Sequence, residues 1–256
     1  MASTKPKGLI AVTYEAAAQE YLRNLPPEHF MEATAQARQR EITLESLAVL
    51  KARRPDVHVF NELLVQYPVA GQRKPGQVVP DNMVVLSRKP INADSSYNLP
   101  LVPARPFWML EYVSKSNKRK DYEDSFDKYE RDLKVTYYLV FYPDQQELTL
   151  YHHNGKQYVS VKPNEHGRYP IPELDLEVAL LDDWVRFWYQ GELLPLPADL
   201  ERDLREANRR ADAEKRRADE LQRRLAEVEQ ELARIQGGGP APRTRKNNGS
   251  NPQRQG

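Results

Sequence analysis

The sequence predicts an α/β (α+β) domain with a mixed central sheet, followed by a long C-terminal helix. Three observations predict this architecture. Two stretches, 14–25 and 32–53, read as helices before the first strand. Short β-branched and aromatic runs, of which 135–142 is the strongest, then recur as far as residue 161. Finally, residues 200–235 carry apolar side chains at heptad spacing.

The elements of the domain follow from local patterns. In the second helix, Ile42, Leu47 and Leu50 fall at helical spacing, and Pro55 ends it. Strands are expected at 57–60, 63–67, 78–86, 107–113, 135–142, 147–152 and 157–161. Residues 88–106 form a long connection, a helix spans about 120–133, and the apolar segments 175–181 and 184–188 close the core.

The composition excludes several classes of site. The 38 basic and 37 acidic side chains nearly cancel, so no overall field indicates a nucleic-acid partner. The absence of cysteine excludes disulfides, thiolate metal sites and cysteine nucleophiles. No apolar run approaches the roughly 20 residues that span a bilayer, and the N-terminus does not read as a secretory signal. We expect a soluble, cytoplasmic protein with no membrane partner.

The C-terminal region has a heptad pattern of apolar residues that the preceding domain lacks. Its apolar positions follow an a/d heptad pattern in which Glu214 takes one core position. We expect a coiled coil over 198–236 through which the chain binds itself as a dimer or trimer; a solvated single helix is the alternative. The predicted domain covers 14–195, and disorder is expected at 1–13 and in the basic tail 237–256.

Two apolar runs each contain one carboxylate. Asp81 follows Pro80 at the start of one strand, and Glu111 lies within the next. Burying an unpaired carboxylate costs several kcal/mol, so such residues are usually paired or hold a cation. If the two strands pair antiparallel, Asp81 and Glu111 meet the requirements of Mg²⁺, with Mn²⁺ as an alternative.

A metal site of this kind suits phosphodiester hydrolysis, where the metal generates hydroxide and stabilises charge on the phosphate. A third group, usually a lysine, would orient the attacking water. In the simplest arrangement it lies two residues after the second acid, on the same face of the strand. That position is Val113, so the simplest version is missing its lysine.

Residues 59–143 resemble the Uma-two restriction endonuclease family, a branch of the PD-(D/E)XK nuclease superfamily. The resemblance rests on NELLVQY, VVPDNMVV, FWMLEYVSKSNKRKD and LKVTYYLVFYP, in this order. It implies a restriction-endonuclease-like fold with a curved central sheet flanked by helices. It also implies Mg²⁺-dependent hydrolysis of DNA phosphodiester bonds, with Asp81 and Glu111 as catalytic metal ligands.

The chain departs from the family pattern at three places. Lys134 stands where the family has a glycine before valine, and Tyr142 stands where it has an aspartate before proline. The helix is one residue longer, so the family lysine does not align. Lys128 is the nearest candidate for that catalytic group, as a water-orienting or charge-balancing residue.

The remaining candidates each have an ordinary structural interpretation. Glu62 either supports the metal ligands or marks a strand edge. Ser114 and Ser116 contact phosphate or cap the following helix. Lys118 contacts a DNA phosphate or belongs to a solvated turn. Asp121 matches the family pattern, but a charge at a helix start explains it as well.

A second function is open at this point. The missing lysine and the lack of an obvious DNA-reading element favour a catalytically inactive, nuclease-fold scaffold protein. In that case the protein would function by oligomerising through its C-terminal coiled coil, and the nuclease-like domain would be an interaction module.

Overall fold

The computed structural model describes residues 7–25, 34–113 and 124–237. The chain forms two compact units, Met1–Ala198 and Asp199–Gly256. The first unit contains helices α1 (Lys7–Arg23) and α2 (Thr34–Arg53). Helix α3 (Pro197–Gly237) makes up the described part of the second unit.

The strands of the first unit cover most of the runs that the sequence predicts. They are β1 (Val57–Asn61), β2 (Leu64–Tyr67), β3 (Gly76–Val78), β4 (Asn82–Leu86), β5 (Ser96–Asn98), β6 (Pro106–Tyr112), β7 (Tyr137–Tyr142), β8 (Glu147–His153), β9 (Tyr158–Ser160), β10 (Tyr169–Ile171), β11 (Leu176–Leu181), β12 (Trp184–Tyr189) and β13 (Glu192–Leu193).

The central sheet is mixed. Within the described ranges it has six strands in the order β1-β4-β6-β7-β8-β9. Strands β6 and β7 are parallel, and every other neighbouring pair is antiparallel. This architecture, with its flanking helices and the long C-terminal helix, confirms the predicted fold class.

Two smaller sheets accompany the central one. Strands β10 to β13 form an antiparallel sheet in chain order. Its strands β11 and β12 come from the segments predicted to close the core, whereas β10 and β13 were not predicted. Strand β2 lies between β3 and β5 and pairs with β5 in parallel. The long connection 88–106 therefore contains a strand, which its Pro- and Asn-rich composition did not indicate.

Strand β6 lies between two apolar cores because successive side chains of a strand point to opposite faces. Trp108, Leu110 and Tyr112 pack in a core that includes residues of α2 and β12. Met109 and Val113 pack in the other core. Glu111 occupies the face of Met109 and Val113, so an ionisable group enters a layer that is otherwise apolar and aromatic.

The predicted strand 78–86 is divided in two. Strand β3 ends at Val78 and pairs with β2, whereas β4 begins at Asn82 and pairs with β1 and β6. Pro80 separates the two strands, and proline cannot donate a ladder hydrogen bond. Asp81 consequently stands immediately before β4.

Helix α1 begins at Lys7, so the disorder expected over 1–13 is wrong for residues 7–13; residues 1–6 lie outside the described residues. Buried amides hold this helix. The side chains of Gln66 and Gln77 donate to the carbonyl oxygens of Tyr14 and Ala17, at 2.9 and 3.0 Å. These partners are far apart in sequence, which explains why local patterns did not predict the helix start.

Residues Lys128–Leu133 form a π-helical turn. A π turn accommodates one extra residue in an α-helix, which matches the one-residue excess over the family pattern. The turn ends at Lys134, whose φ of 48° is left-handed. Lys134 stands where the family has glycine, the residue that adopts this conformation without strain.

Helix α3 covers the segment predicted as helical, and no residue of it is buried. Its heptad apolar side chains are 49–69% exposed; they are Leu200, Leu204, Leu221, Leu225, Val228, Leu232 and Ile235. Ion pairs one turn apart, such as Arg224–Glu220 at 2.7 Å, support the isolated helix. No described helix is long and apolar enough to cross a membrane.

We expect Lys134→Gly to stabilise the protein by about 1 kcal/mol, because glycine relieves the cost of a left-handed side chain. The free energy of unfolding in urea measures the effect. Lys156→Gly is the control, since Lys156 has no positive φ and gains nothing. An unchanged or lower stability of Lys134→Gly would contradict the assignment of strain to this position.

Candidate functional site

The structure places Asp81 and Glu111 side by side. Strands β4 and β6 pair antiparallel with Asn82 opposite Leu110. One further step along this register sets Asp81 beside Glu111. The interaction with Glu111 lowers the pKa of Asp81, but less than burial raises it.

Asp81 is held by two donors. Its Oδ2 accepts the backbone N–H of Tyr112 at 2.6 Å, and its Oδ1 lies 3.2 Å from the Arg40 guanidinium. Burial raises the pKa of Asp81 above its ordinary value, and the Tyr112 N–H and the Arg40 charge offset that rise only in part. The Asp81 side chain as a whole is 21% exposed.

Glu111 is buried, and Tyr129 is its donor. The Tyr129 hydroxyl donates to Oε1 at 2.5 Å from within the π-helical turn. Burial, and then the negative charge of Glu111, raise the pKa of Tyr129 well above its ordinary value. Tyr129 therefore stays protonated and keeps donating at neutral pH.

Tyr112 connects the acids to helix α2. Its carbonyl oxygen accepts from the Gln36 side chain at 2.5 Å. Its hydroxyl lies 2.6 Å from Thr43 Oγ1 and 2.9 Å from Asn82 Oδ1. The backbone beside Glu111 is thus fixed by polar contacts from both α2 and β4.

Arg40 is a site residue that the sequence analysis did not select. Its guanidinium lies 3.0 Å from Glu62 Oε1 and 3.2 Å from Asp81 Oδ1. Only 14% of its side chain is exposed. A signal existed: Gln36, Arg40 and Thr43 are polar residues at helical spacing on a helix that also carries an apolar stripe.

Glu62 lies next to the two acids rather than apart from them. Its backbone N–H donates to the carbonyl oxygen of Asp81 at 3.3 Å, and its φ is 47°. Its carboxylate, half exposed, is a partner of Arg40. Glu62 also directly follows β1, so both interpretations made from the sequence remain predictions.

Lys128 lies in a different environment. It lines a cavity of about 450 Å³, called here the α1 cavity, together with Tyr21 of α1, Lys74 of the segment before β3, and Gln77 of β3. Among the described residues, the structure shows no contact between Lys128 and either acid, whereas Arg40 does contact Asp81. Ser114, Ser116, Lys118 and Asp121 lie outside the described residues.

The side chains at this site limit which metal ion it could hold. In the described part of the chain, no group of three or more His, Asp or Glu side chains could hold a metal ion. A cation here would therefore take two carboxylates and fill its other positions with water or carbonyl oxygen. Mg²⁺ binds proteins in this way and retains several waters, so these residues fit it.

Removing the Tyr129 hydroxyl should destabilise the fold, because Glu111 would lose a buried donor. We expect Tyr129→Phe to lower the free energy of unfolding by about 1.5–3 kcal/mol. Chemical denaturation measures it, with Tyr21→Phe as the control, since no described residue hydrogen-bonds the Tyr21 hydroxyl. Equal effects of the two substitutions would show that the Tyr129–Glu111 bond contributes nothing specific.

Two comparisons with known proteins found a similarity, one to a family model and one to a solved structure. The family model Uma2, described as "Putative restriction endonuclease", matches residues 14–182. Among solved structures, a "putative nuclease belonging to DUF820" from Anabaena variabilis is 15% identical and has a TM-score of 0.41. That match covers 56% of this chain and 75% of the other.

No curated protein matches the sequence. The family match includes both acids, Arg40, Glu62 and Tyr129, and it extends over more than half of the chain. The chain belongs to the Uma2 family of restriction-endonuclease-like proteins.

Proposed function

We propose that the protein is a divalent-metal-dependent endonuclease that hydrolyses phosphodiester bonds of DNA, with Asp81 and Glu111 holding the metal. One observation carries the proposal. The two acids that the family motifs select lie side by side at the ends of neighbouring antiparallel strands. Their family is one of restriction endonucleases, whose substrate is DNA.

Mg²⁺ is the proposed metal and Mn²⁺ the substitute, since both accept carboxylate and water ligands. When bound, the metal would supply a hydroxide near neutral pH and neutralise charge on the phosphate oxygens. Both carboxyl groups would bind the cation in their deprotonated form, so metal binding would be favoured as the pH rises.

The surrounding residues give the two acids fixed positions. The Tyr112 N–H orients Asp81, and the Tyr129 hydroxyl orients Glu111. Such outer contacts set the direction of metal ligands and are needed for a site of defined geometry. Here they come from the strand backbone and from a buried tyrosine, which are both rigid elements.

Lys128 stays within the proposal as the candidate water-orienting group, on the strength of the family pattern. Its position beside the α1 cavity does not add support. The Lys128→Ala variant, in the cleavage assay described next, tests whether Lys128 takes part in catalysis. Loss of cleavage with unchanged folding would support its role, and full activity would remove Lys128 from the mechanism.

Cleavage of supercoiled plasmid tests the proposal. With Mg²⁺ or Mn²⁺ we expect nicking that EDTA abolishes and that Asp81→Asn and Glu111→Gln each reduce at least about a hundredfold. Asp56→Asn is a matched control, because Asp56 also follows a proline but pairs with Arg54 at 2.9 Å. Nicking that persists in both site variants would show a contaminating nuclease and reject the site.

One observation favours the alternative of an inactive scaffold. Asp81 and Glu111 already have protein partners, and Val113, where a lysine would stand, is apolar and buried. A fully satisfied polar network is stable without a metal. If the folded wild type neither cleaves DNA nor binds Mn²⁺, the scaffold function is the better one.

Self-association through α3 is the second part of the proposal. A helix with an exposed heptad stripe of leucine, valine and isoleucine gains stability by pairing with a second copy. A dimer or trimer would bring two or more sites together, and two sites can cut both strands of a duplex.

The double variant Leu225→Asn/Leu232→Asn should convert the oligomer to a monomer, because it places amides at two heptad core positions. Light scattering after size-exclusion chromatography measures the mass. Arg223→Asn/Gln230→Asn is the matched control, since those positions lie on the opposite side of the helix. A wild-type monomer at micromolar concentration, or an oligomer that survives both changes, would contradict the coiled coil.

A further inference from the structure

A nuclease site needs a positive group near the scissile phosphate, and the strand does not provide one. Val113 occupies the expected position and is only 4% exposed. If the proposed function holds, the charge comes from another element. We propose that Arg40, on helix α2, is the phosphate-contacting cation of the site.

The first support is the position of the guanidinium. It lies 3.2 Å from Asp81 Oδ1, and the register of β4 and β6 sets Asp81 beside Glu111. A phosphate brought to the two proposed metal ligands would therefore approach this guanidinium. The planar fork of arginine also matches phosphate oxygens.

The second support is the rigidity of the arrangement. Gln36, one turn before Arg40, donates to the Tyr112 carbonyl, and Thr43, one turn after it, contacts the Tyr112 hydroxyl. Both contacts fix α2 against the strand that carries Glu111. A cation held in place in this way meets a growing negative charge without reorganisation, which is the main requirement for electrostatic stabilisation.

Glu62 gives the arginine its orientation. It pairs with the second terminal nitrogen of Arg40 at 3.0 Å, and its own backbone N–H is bonded to the Asp81 carbonyl. Its left-handed φ of 47° brings this side chain toward α2 between β1 and β2. Glu62 is therefore a positioning residue that acts through Arg40.

The experiment uses the full chain in two assays. The first measures binding of duplex DNA in Ca²⁺, and the second measures plasmid cleavage in Mg²⁺. Arg40→Gln should weaken binding about tenfold or more and slow cleavage about a hundredfold, while Arg40→Lys recovers much of both. Glu62→Gln should lower the cleavage rate less than Arg40→Gln does.

Arg38→Gln is the control. It lies on the same helix, loses the same charge, and pairs with Glu41 away from the acids, so both assays should match the wild type. Circular dichroism establishes that each variant is folded. If Arg40→Gln does not fold, Arg40→Lys decides alone: a folded lysine variant without binding or cleavage overturns the proposal.

The outcomes separate this inference from the nuclease proposal. DNA binding that depends on Arg40 without cleavage in any metal would uphold the inference and reject the nuclease. Cleavage that survives in a folded Arg40→Gln variant would overturn the inference and leave the nuclease standing. A wild type that neither binds nor cleaves DNA would overturn both.

Discussion

The pairing of Asp81 with Glu111 across β4 and β6 is the constraint on which the site depends. Two carboxyl groups so close together and largely withdrawn from water cannot both be ionised without compensation. The structure compensates with the Tyr112 N–H, the Tyr129 hydroxyl and the Arg40 guanidinium. Each of these partners comes from a different part of the chain, so the fold has to be complete before the pair is stable.

Two local irregularities of the backbone serve this pairing. The π-helical turn accommodates an extra residue and buries Tyr129 where it reaches Glu111. The left-handed Glu62 turns the chain after β1 so that its carboxylate meets Arg40. Strained conformations of this kind persist where surrounding contacts determine them, and they concentrate at functional sites. Glu62 contacts Arg40 and Asp81, and Tyr129 contacts Glu111, so both irregularities contribute directly to the contacts of the acid pair.

The sequence predicted the mixed sheet, its main strands and the two acids, because alternation and an acid within an apolar run are local signals. It did not predict Arg40 as a partner of Asp81, since 41 residues separate them and only packing of α2 on the sheet unites them. Lys128 was selected because it lies nearest in sequence to the family lysine, and closeness in sequence does not fix where a side chain points. On a helix, consecutive residues point in different directions, and Lys128 lines the α1 cavity instead.

The central claim is that Asp81 and Glu111 together hold a divalent metal. Anomalous diffraction from a crystal soaked in Mn²⁺ tests it most directly, independently of any substrate. The account predicts a manganese peak within about 2.2 Å of an oxygen of each carboxyl group. A soaked crystal with no peak there, in which Asp81 and Glu111 keep only their protein partners, would contradict the account.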